Sequence, residues 1–260
     1  MYRDLIDSVS AAGMKKLAFC NQKTGKYFIA SILAGFFVGL GILLIFSISG
    51  QLGAQPYTKI IMGVSFGVAL SLVIMAGSEL FTGNNFVLGV SLLDKKAKLL
   101  EVIKLWIVCY LGNLVGAILV SFLFVQAGLA STGENIASND VGMALQNASA
   151  LKMNGSFLTL FVKGILCNIL VCLAVLCSIK LKSESAKLIM IWWCLFTFIT
   201  CGYEHSVANM TIFMSSLLTP HIDTVSFGGM AYNLLATTSG NLVGGLLLAA
   251  GYYFASLKNN

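Results

Sequence analysis

Two polar stretches, Gly77-Ser-Glu-Leu-Phe-Thr-Gly-Asn84 and Gly202-Tyr-Glu-His-Ser-Val-Ala-Asn209, each interrupt a long run of apolar residues. Both follow the pattern Gly-x-Glu-x4-Asn, and the second stretch begins 125 residues after the first. A carboxylate at bilayer depth costs several kcal/mol unless it is paired or faces a cavity, and irregular backbone persists there only where protein or a lumen surrounds it. Broken helices at matching places in two halves of a chain indicate a transport site near the membrane midplane. The two stretches therefore predict a pore or a carrier.

The composition assigns the whole chain to the membrane. Of its 260 residues, 58% are hydrophobic and only 10% are charged, and the mean hydropathy is +0.90. Soluble domains carry roughly 25% charged residues. Four further stretches, 27–58, 105–133, 164–179 and 224–257, are free of charged residues and are interpreted as spans, which need about 20 residues each. Together with the two interrupted segments, they predict an all-α integral membrane protein with six transmembrane helices in a single transport domain, residues 1–260.

A second internal echo predicts a duplicated architecture. The sequence Gly112-Asn-Leu-Val-Gly116 recurs as Gly240-Asn-Leu-Val-Gly244, 128 residues later. Glycines at four-residue spacing let helix backbones approach closely, and we interpret them as packing residues. Because each unit holds three spans, the second unit enters the membrane from the opposite side. We therefore expect two inverted three-helix repeats at about 27–129 and 156–257, with helices 2 and 5 broken.

Most basic residues lie in segments that are predicted on the same face of the membrane. Thirteen of the 16 Lys and Arg residues lie at the termini, between spans 2 and 3, or between spans 4 and 5; the others are Lys59, Lys152 and Lys163. The positive-inside rule then predicts a multi-pass protein of a bacterial-type inner membrane with both termini cytoplasmic. Lysines that flank spans form no single patch, so no nucleic-acid partner is expected. Residues 1–25 predict an amphipathic helix along the cytoplasmic surface, not a signal peptide.

Four polar residues are shared by the two stretches: Glu79, Asn84, Glu204 and Asn209. A broken helix exposes up to four N–H and four C=O groups at each new end, and these groups need partners. We interpret the shared residues as support for the helix breaks, and contact with a substrate remains an alternative. The Asn113 and Asn241 side chains of the second echo fit either packing or a functional role.

Thr82 and His205 are not required by the repeat, because the residues at the equivalent positions are Val207 and Leu80. His205 is the only histidine predicted at membrane depth. An imidazole titrates near neutral pH and donates a hydrogen bond or a proton to an anion. Lys152, in the connection between spans 3 and 4, would raise the local anion concentration. These features indicate a small monovalent anion as the ligand.

The remaining residues predict neither a metal centre nor a cofactor. The seven cysteines lack a Cys-x-x-Cys pair and lie in apolar runs, so disulfides are not expected either. Two alternatives stay open. One is a water or polyol channel, although its two Asn-Pro-Ala turns have no counterpart around Pro56 and Pro220. The other, of a different class, is a membrane-embedded enzyme with a metal ion held by Glu79, Glu204 and His205.

Over essentially its whole length the chain resembles the formate/nitrite transporters. The matching stretches are Ala76-Gly-Ser-Glu-Leu-Phe-Thr-Gly83, Lys163-Gly-Ile-Leu-Cys-Asn168, Leu170-Val-Cys-Leu-Ala174, Ile191-Trp-Trp-Cys194 and Gly202-Tyr-Glu-His-Ser-Val-Ala-Asn-Met210. The resemblance implies an aquaporin-like protomer in a homopentamer within the lipid bilayer, with one pore in each protomer. The residues of these stretches are most similar to the nitrite branch of the family, and the hydrosulfide branch is also close.

The resemblance also implies a function and a pathway. The function is passage of small monovalent anions of weak acids, nitrite or formate, with hydrosulfide as the alternative. The residues that it places on the pathway are His205, Thr82, Phe66, Leu70, Phe198, Lys152, Asn168 and Asn241, of which the three apolar residues form constrictions and the two asparagines belong to the vestibules. A bare anion meets a large desolvation penalty at an apolar constriction. Our hypothesis is that it crosses partly or wholly as the neutral acid, with a proton from His205.

Overall fold

The computed structural model describes residues 2–130 and 141–257, and within these ranges the chain forms eleven helices joined by turns. They are α1 Tyr2–Gln22, α2 Thr24–Leu52, α3 Thr58–Ser65, α4 Gly67–Met75, α5 Phe81–Leu93, α6 Leu99–Gln126, α7 Val141–Met153, α8 Phe157–Lys180, α9 Glu184–Cys201, α10 Ser206–Leu217 and α11 Phe227–Ser256. Among the described residues, six segments are long and apolar enough to cross a membrane: α2, α3 with α4, α6, α8, α9 and α11. The predicted all-α fold with six spans, of which the second and fifth are broken, is confirmed.

Two close helix crossings, one in each half, organise the bundle. Helix α2 packs against α6, and α8 packs against α11. A Cβ atom added at Gly116 would clash with the carbonyl oxygen of Ile32, and one added at Gly244 would clash with that of Ile165. The repeated glycines therefore let backbone pack directly against backbone, as the sequence predicted. The same crossing occurs in both halves, in keeping with a duplicated unit.

The half-helices that follow the breaks form the interior of the protein. Residues 81–91 of α5 and 206–216 of α10 are buried without exception. Helix α5 packs against α1, α8 and α11, whereas α10 packs against α2, α6 and α7. Three spans separate α1 from α7, so these two helices cover opposite faces of the bundle. Helix α7 was expected only as a polar connection, and α1 buries its apolar stripe against helices of its own chain.

Span 2 has an additional interruption, at Phe66, that the sequence analysis did not predict. Helix α3 ends just before this residue and α4 begins just after it. The backbone N–H of Phe66 is shared between the carbonyls of Met62 and Gly63, at 3.1 and 3.3 Å, and the Phe66 carbonyl accepts from Ala69, so the chain tightens locally compared with a regular α-helix. The Trp192 indole Nε1 donates to the carbonyl of Val64, 2.8 Å away. Helix α9 thus holds the backbone at the point from which Phe66 projects.

Candidate functional site

The first break runs from the end of α4 to Phe81. Gly77 adopts φ +72°, a left-handed conformation that glycine takes without strain. The N–H of Glu79 then bonds to the carbonyl of Ala30 in α2, 3.2 Å away. Helix α5 begins at Phe81, whose N–H donates to Asn113 Oδ1 at 2.9 Å. The break is therefore held by main-chain and side-chain partners on the two helices that cross beside it.

The second break repeats this arrangement. Gly202 has φ +73° and ends α9. The N–H of Glu204 bonds to the carbonyl of Lys163, 3.3 Å away, and the N–H of Ser206 donates to Asn241 Oδ1 at 2.9 Å. Helix α10 begins there. In each half, the first N–H of the half-helix thus bonds to the asparagine of the repeated Gly-Asn-Leu-Val-Gly sequence.

The amide groups of these two asparagines complete the same network in both halves. Asn113 Nδ2 donates to the carbonyls of Ser31 and Glu79, at 2.7 and 2.9 Å. Asn241 Nδ2 donates to the carbonyls of Gly164 and Glu204, at 2.8 and 2.9 Å. Both side chains are fully buried. Of the two interpretations left open by the sequence, a structural role in capping the breaks accounts for all of their hydrogen bonds.

The carboxylate of each break glutamate points to an asparagine and a lysine. Glu79 Oε2 accepts from Asn84 Nδ2 at 3.2 Å and from Lys16 Nζ at 2.7 Å. It also accepts from the buried Tyr27 hydroxyl, 3.1 Å away. Because Asn84 lies in the first turn of α5, the Glu79 side chain connects the break to the helix that follows. The support role of Glu79 and Asn84 stays a prediction, and this contact is the one that it requires.

The second glutamate makes the equivalent contacts. Glu204 Oε2 accepts from Asn209 Nδ2 at 2.7 Å, and both carboxylate oxygens lie 2.8 Å from Lys152 Nζ. Asn209 also donates to Asn233 Oδ1 in α11. Lysine side chains from α1 and α7 thus meet the two buried carboxylates on opposite faces of the bundle. Lys16 was missed by the sequence analysis, which counted it only as a topology signal; its position ahead of span 1, as Lys152 precedes span 4, would have indicated the match.

Thr82 and His205 are brought together at the centre, 123 positions apart in the chain. The Thr82 hydroxyl oxygen lies 2.9 Å from His205 Nε2, and both side chains are buried. Thr82 occupies the first turn of α5, and His205 is the N-cap of α10. The starts of the two half-helices therefore meet at this pair.

The hydrogen bonds of His205 define its tautomer. Nδ1 accepts from the backbone N–H of Ala208, 3.1 Å away, as an N-cap acceptor does. A neutral imidazole with an accepting Nδ1 carries its proton on Nε2. Nε2–H then donates to the Thr82 oxygen. The Thr82 O–H is left to donate elsewhere, and no protein acceptor for it occurs in the described part of the chain.

Two cavities approach this pair from opposite faces. The α1-side cavity has a volume of about 230 Å³ and is lined by residues that include Lys16, Glu79, Leu70 and Leu80. The α7-side cavity has a volume of about 300 Å³, and its lining includes Lys59, Lys152, Glu204, Phe198 and His205. Each cavity therefore combines an ion pair at one end with apolar side chains at the other.

A narrow apolar passage separates the two cavities. Its volume of about 10 Å³ holds roughly one water-sized sphere. It is lined by Val38, Phe66, Ala69, Leu70, Leu80, Val171, Leu195, Phe198 and His205. Leu70 and Leu80 also border the α1-side cavity, while Phe198 and His205 border the α7-side cavity. Phe66, Leu70 and Phe198 thus lie where constrictions were expected, and Leu80 is a further lining residue that the sequence analysis treated only as the repeat partner of His205.

The aromatic side chains of the passage pack on one another. The rings of Phe66 and Phe198 meet edge to face with centroids 5.5 Å apart. The Phe198 ring stacks on the imidazole of His205 at 5.9 Å. This stacking leaves the imidazole as the polar group of an otherwise apolar wall. A permeating species would pass between the phenylalanines and then meet the histidine.

Asn168 and Asn241 occupy a position different from the expected vestibule lining. Neither is part of the wall of either cavity, and both are fully buried. Asn168 Nδ2 donates to the carbonyls of Thr82 and Asn241, which places it behind the central pair. Its Oδ1 has no partner among the described residues. The two asparagines support the backbone that carries Thr82 and His205.

A metal site built from both glutamates and His205 is contradicted by this geometry. Glu79 faces the α1-side cavity and Glu204 faces the α7-side cavity, and each carboxylate is bound to its own lysine. Over residues 2–130 and 141–257, no group of three or more His, Cys, Asp or Glu side chains is placed to hold a metal ion.

Comparison with known proteins agrees with this arrangement. Residues 3–255 match the family model described as formate/nitrite transporter. The chain belongs to the formate/nitrite transporter family. It is 40% identical to the nitrite transporter NirC of Salmonella typhimurium over 100% of this chain and 94% of the relative.

Solved structures of the family have the same fold. An FNT family ion channel superposes with a TM-score of 0.90 at 36% identity, covering 98% of this chain and 100% of that chain. A pentameric formate channel with formate bound gives a TM-score of 0.76 at 28% identity, covering 88% and 96%. The described helices, including the two broken spans, are therefore the arrangement of a known class of membrane transport protein.

Proposed function

We propose that this chain forms a pore for small monovalent anions of weak acids, with nitrite as the first candidate and formate as the second. The observation that carries the proposal is the passage of about 10 Å³ between two lysine-containing cavities, with His205 as its polar wall. The 40% identity to a nitrite transporter supports nitrite, and the likeness to a channel with bound formate supports formate. No step of this function requires a bond to be made by the protein, so we propose a transporter and not an enzyme.

The proposed assembly is a homopentamer in the cytoplasmic membrane of a bacterial-type cell. The pentameric state of the formate channel with a TM-score of 0.76 supports it. The lysine distribution supports cytoplasmic termini, with α1 on the cytoplasmic face and α7 on the outer face. Each protomer would carry its own pathway, because the two cavities and the passage are lined by residues of one chain.

The physical problem for the anion is the loss of its water shell at the passage. The excess of lysine over carboxylate in the α7-side cavity raises the local anion concentration, and the apolar wall of the passage favours the neutral acid over the ion because burial penalises charge. A weak acid therefore crosses more easily than the anion of a strong acid of similar size. This reasoning supports nitrite and formate over chloride or nitrate as cargo.

Thr82 is proposed to supply a hydrogen bond to the permeating acid beside the narrowest point, with its hydroxyl oxygen held by Nε2–H of His205. Nδ1 of His205 already accepts from Ala208, so adding a proton there would remove the N-cap of α10. A neutral imidazole is a very poor proton donor. The geometry thus favours a hydrogen-bond role for the pair over the proton donation that the sequence suggested, with the proton of the acid coming from the water in the cavities.

The function is tested by initial rates of nitrite, formate and hydrosulfide uptake into proteoliposomes at two pH values, with protein-free liposomes as the control. We expect saturable nitrite and formate uptake that increases as the pH falls and is inhibited by the competing anion. Uptake equal to that of protein-free liposomes would contradict the proposal. Stopped-flow shrinkage with a neutral osmolyte, run on the same vesicles, distinguishes a water or polyol channel.

A further inference from the structure

Lys59 lies in the first turn of α3 and lines the α7-side cavity together with Lys152. Its ammonium group lies over the Gly202 turn, since a Cβ atom built at Gly202 would be 2.7 Å from Nζ and 3.5 Å from Cε. The turn has φ +73° and carries no side chain. The glycine thus leaves the space that the end of the Lys59 side chain occupies.

The charges of the two lysines in this cavity are not equivalent. Lys152 Nζ lies 2.8 Å from both carboxylate oxygens of Glu204. Lys59 has no carboxylate within ion-pair distance and no hydrogen-bond acceptor among the described residues. The Lys59 ammonium is therefore available to a ligand, whereas the Lys152 ammonium is already occupied.

The two cavities consequently differ in net charge. The described lining of the α7-side cavity contains Lys59, Lys152 and Glu204, which sum to +1. The lining of the α1-side cavity contains Lys16 and Glu79, which sum to zero. A cavity with one uncompensated cation and apolar walls focuses positive potential and concentrates anions. The duplicated fold thus carries an asymmetric charge distribution.

We propose that the Lys59 ammonium is the capture site for the permeating anion in the α7-side cavity, and that it makes this cavity the side of higher apparent affinity. The inference rests on the proposed anion permeation. An anion bound there lies in the same cavity as His205, which borders the passage. An anion that replaces part of its water shell by contact with one ammonium is bound weakly and reversibly, and a pore requires such binding so that the anion can leave again. The alternative role for Lys59 is structural, namely stabilisation of the C-terminal end of α9.

The two roles for Lys59 predict different effects of ionic strength on anion flux, and different effects for anions that enter from the two faces of the protein. An electrostatic capture site acts over the Debye length, which is about 30 Å at 0.01 M ionic strength and about 3 Å at 1 M. Its loss raises the anion concentration needed for half-maximal flux and leaves the maximal flux nearly unchanged. A purely structural role would lower the maximal flux from both sides and would not depend on ionic strength.

The test compares Lys59→Gln with Lys59→Arg and with the matched control Lys163→Gln. Lys163 is a lysine of α8 whose side chain does not line either cavity. Concentration dependences of nitrite flux are measured in right-side-out and inverted membrane vesicles, with gluconate salts setting the ionic strength. For Lys59→Gln we expect an increase of about tenfold in the half-saturating concentration at low salt, in one vesicle orientation only. The increase should vanish at 1 M, and Lys59→Arg and Lys163→Gln should behave as the wild type.

Equal values for Lys59→Gln and Lys163→Gln at low salt would overturn the capture site, as would a loss of maximal flux in both orientations. Should Lys59→Gln fail to assemble, the wild-type protein still decides. Its half-saturating concentration must rise more steeply with ionic strength from the α7 face than from the α1 face, and equal slopes would contradict the inference. Absence of nitrite and formate flux in the wild type would instead refute the proposed function.

Discussion

At the scale of single residues, the contact between Thr82 and His205 carries most of the functional argument. Their polar atoms lie 2.9 Å apart, and the Thr82 proton has no acceptor in the described protein. The sequence singled out both residues because the repeat did not require them. Their contact was not predictable, because it joins the starts of two half-helices that are far apart in the chain. The neutral Nε2–H tautomer likewise depends on the Ala208 contact.

Removing only the Thr82 hydroxyl tests this pair. We predict that Thr82→Val, which keeps the side-chain shape, lowers nitrite uptake by roughly 2- to 10-fold, because a hydrogen bond to a neutral acid contributes about 0.5–1.5 kcal/mol. Thr82→Ser should retain most of the uptake. Both variants are compared at equal protein density in proteoliposomes. A Thr82→Val protein that transports as well as Thr82→Ser would show that the hydroxyl does not contact the anion.

The buried asparagines predict a stability effect. Asn113→Ala leaves the N–H of Phe81 and the carbonyls of Ser31 and Glu79 without their partner. We expect a loss of about 1–3 kcal/mol, seen as a lower unfolding temperature in detergent. The control is Asn154→Ala, since Asn154 is exposed in the turn after α7, donates only to the carbonyls of Ala150 and Thr224, and should change the temperature little. Equal effects of the two substitutions would contradict the capping role of Asn113.

At the scale of helices, the number of spans and both breaks could be predicted because they depend on local composition. Long apolar runs define spans, and a Gly-x-Glu sequence within a run marks a break. The interruption at Phe66 could not be predicted, because its support comes from Trp192 of another helix. The ion pair of Lys16 with Glu79 depends on how α1 packs under α5, and the only signal for it in the sequence was that Lys16 precedes span 1 as Lys152 precedes span 4.

The helix crossings give a prediction with a matched control. Gly116→Ala places a Cβ atom against the carbonyl oxygen of Ile32, whereas Gly251→Ala meets no atom within 4 Å, and both glycines lie inside helices. We expect the first substitution to separate α2 from α6 and sharply reduce the yield of folded protein. The second should leave the yield unchanged. Size-exclusion profiles of detergent extracts measure both, and a normal yield of Gly116→Ala would refute the close crossing.

The start of α1 is held by the ion pair between Arg3 and Asp94, and its stability should decrease in acid. Partial burial favours a raised pKa for Asp94, but the hydrogen bonds and charges of Lys96 and Arg3 outweigh it and hold the pKa below its usual value. A carboxylate with a depressed folded pKa stabilises above the unfolded value of about 3.9, and this contribution is lost as the pH falls below it. We therefore expect the protection factors of the amides in residues 2–9, corrected for the intrinsic pH dependence of exchange, to fall as the pH drops below about 4.

The variant Asp94→Asn provides the control for this pH effect. It should show faster exchange at the start of α1 already at neutral pH and a smaller additional change on acidification. Asp7 remains in this variant and still accepts a hydrogen bond from Arg3. Identical pH profiles for the variant and the wild type would contradict the role of Asp94 in holding α1.

At the scale of the whole molecule, the two repeats share their architecture, and the residues that differ between the repeats line the proposed pathway. Asn113 and Asn241 cap equivalent breaks, and Lys16 and Lys152 bind equivalent carboxylates. His205 has only Leu80 as its repeat partner, so the polar wall belongs to one half. The sequence predicted the duplicated architecture because repeated motifs can be recognised in the sequence itself. The placement of Asn168 behind the central pair could not be predicted, because it depends on packing between the halves.

The most direct test of the pore is nitrite uptake into proteoliposomes that contain the wild type or His205→Asn. Asparagine is a strong N-cap residue, so this variant keeps the start of α10 while removing the imidazole from the passage. The account predicts wild-type uptake well above that of protein-free liposomes and a decrease of at least about tenfold in His205→Asn, equivalent to about 1.4 kcal/mol. Uptake by a folded His205→Asn protein at the wild-type rate and with the wild-type pH response would contradict a pathway that passes this histidine.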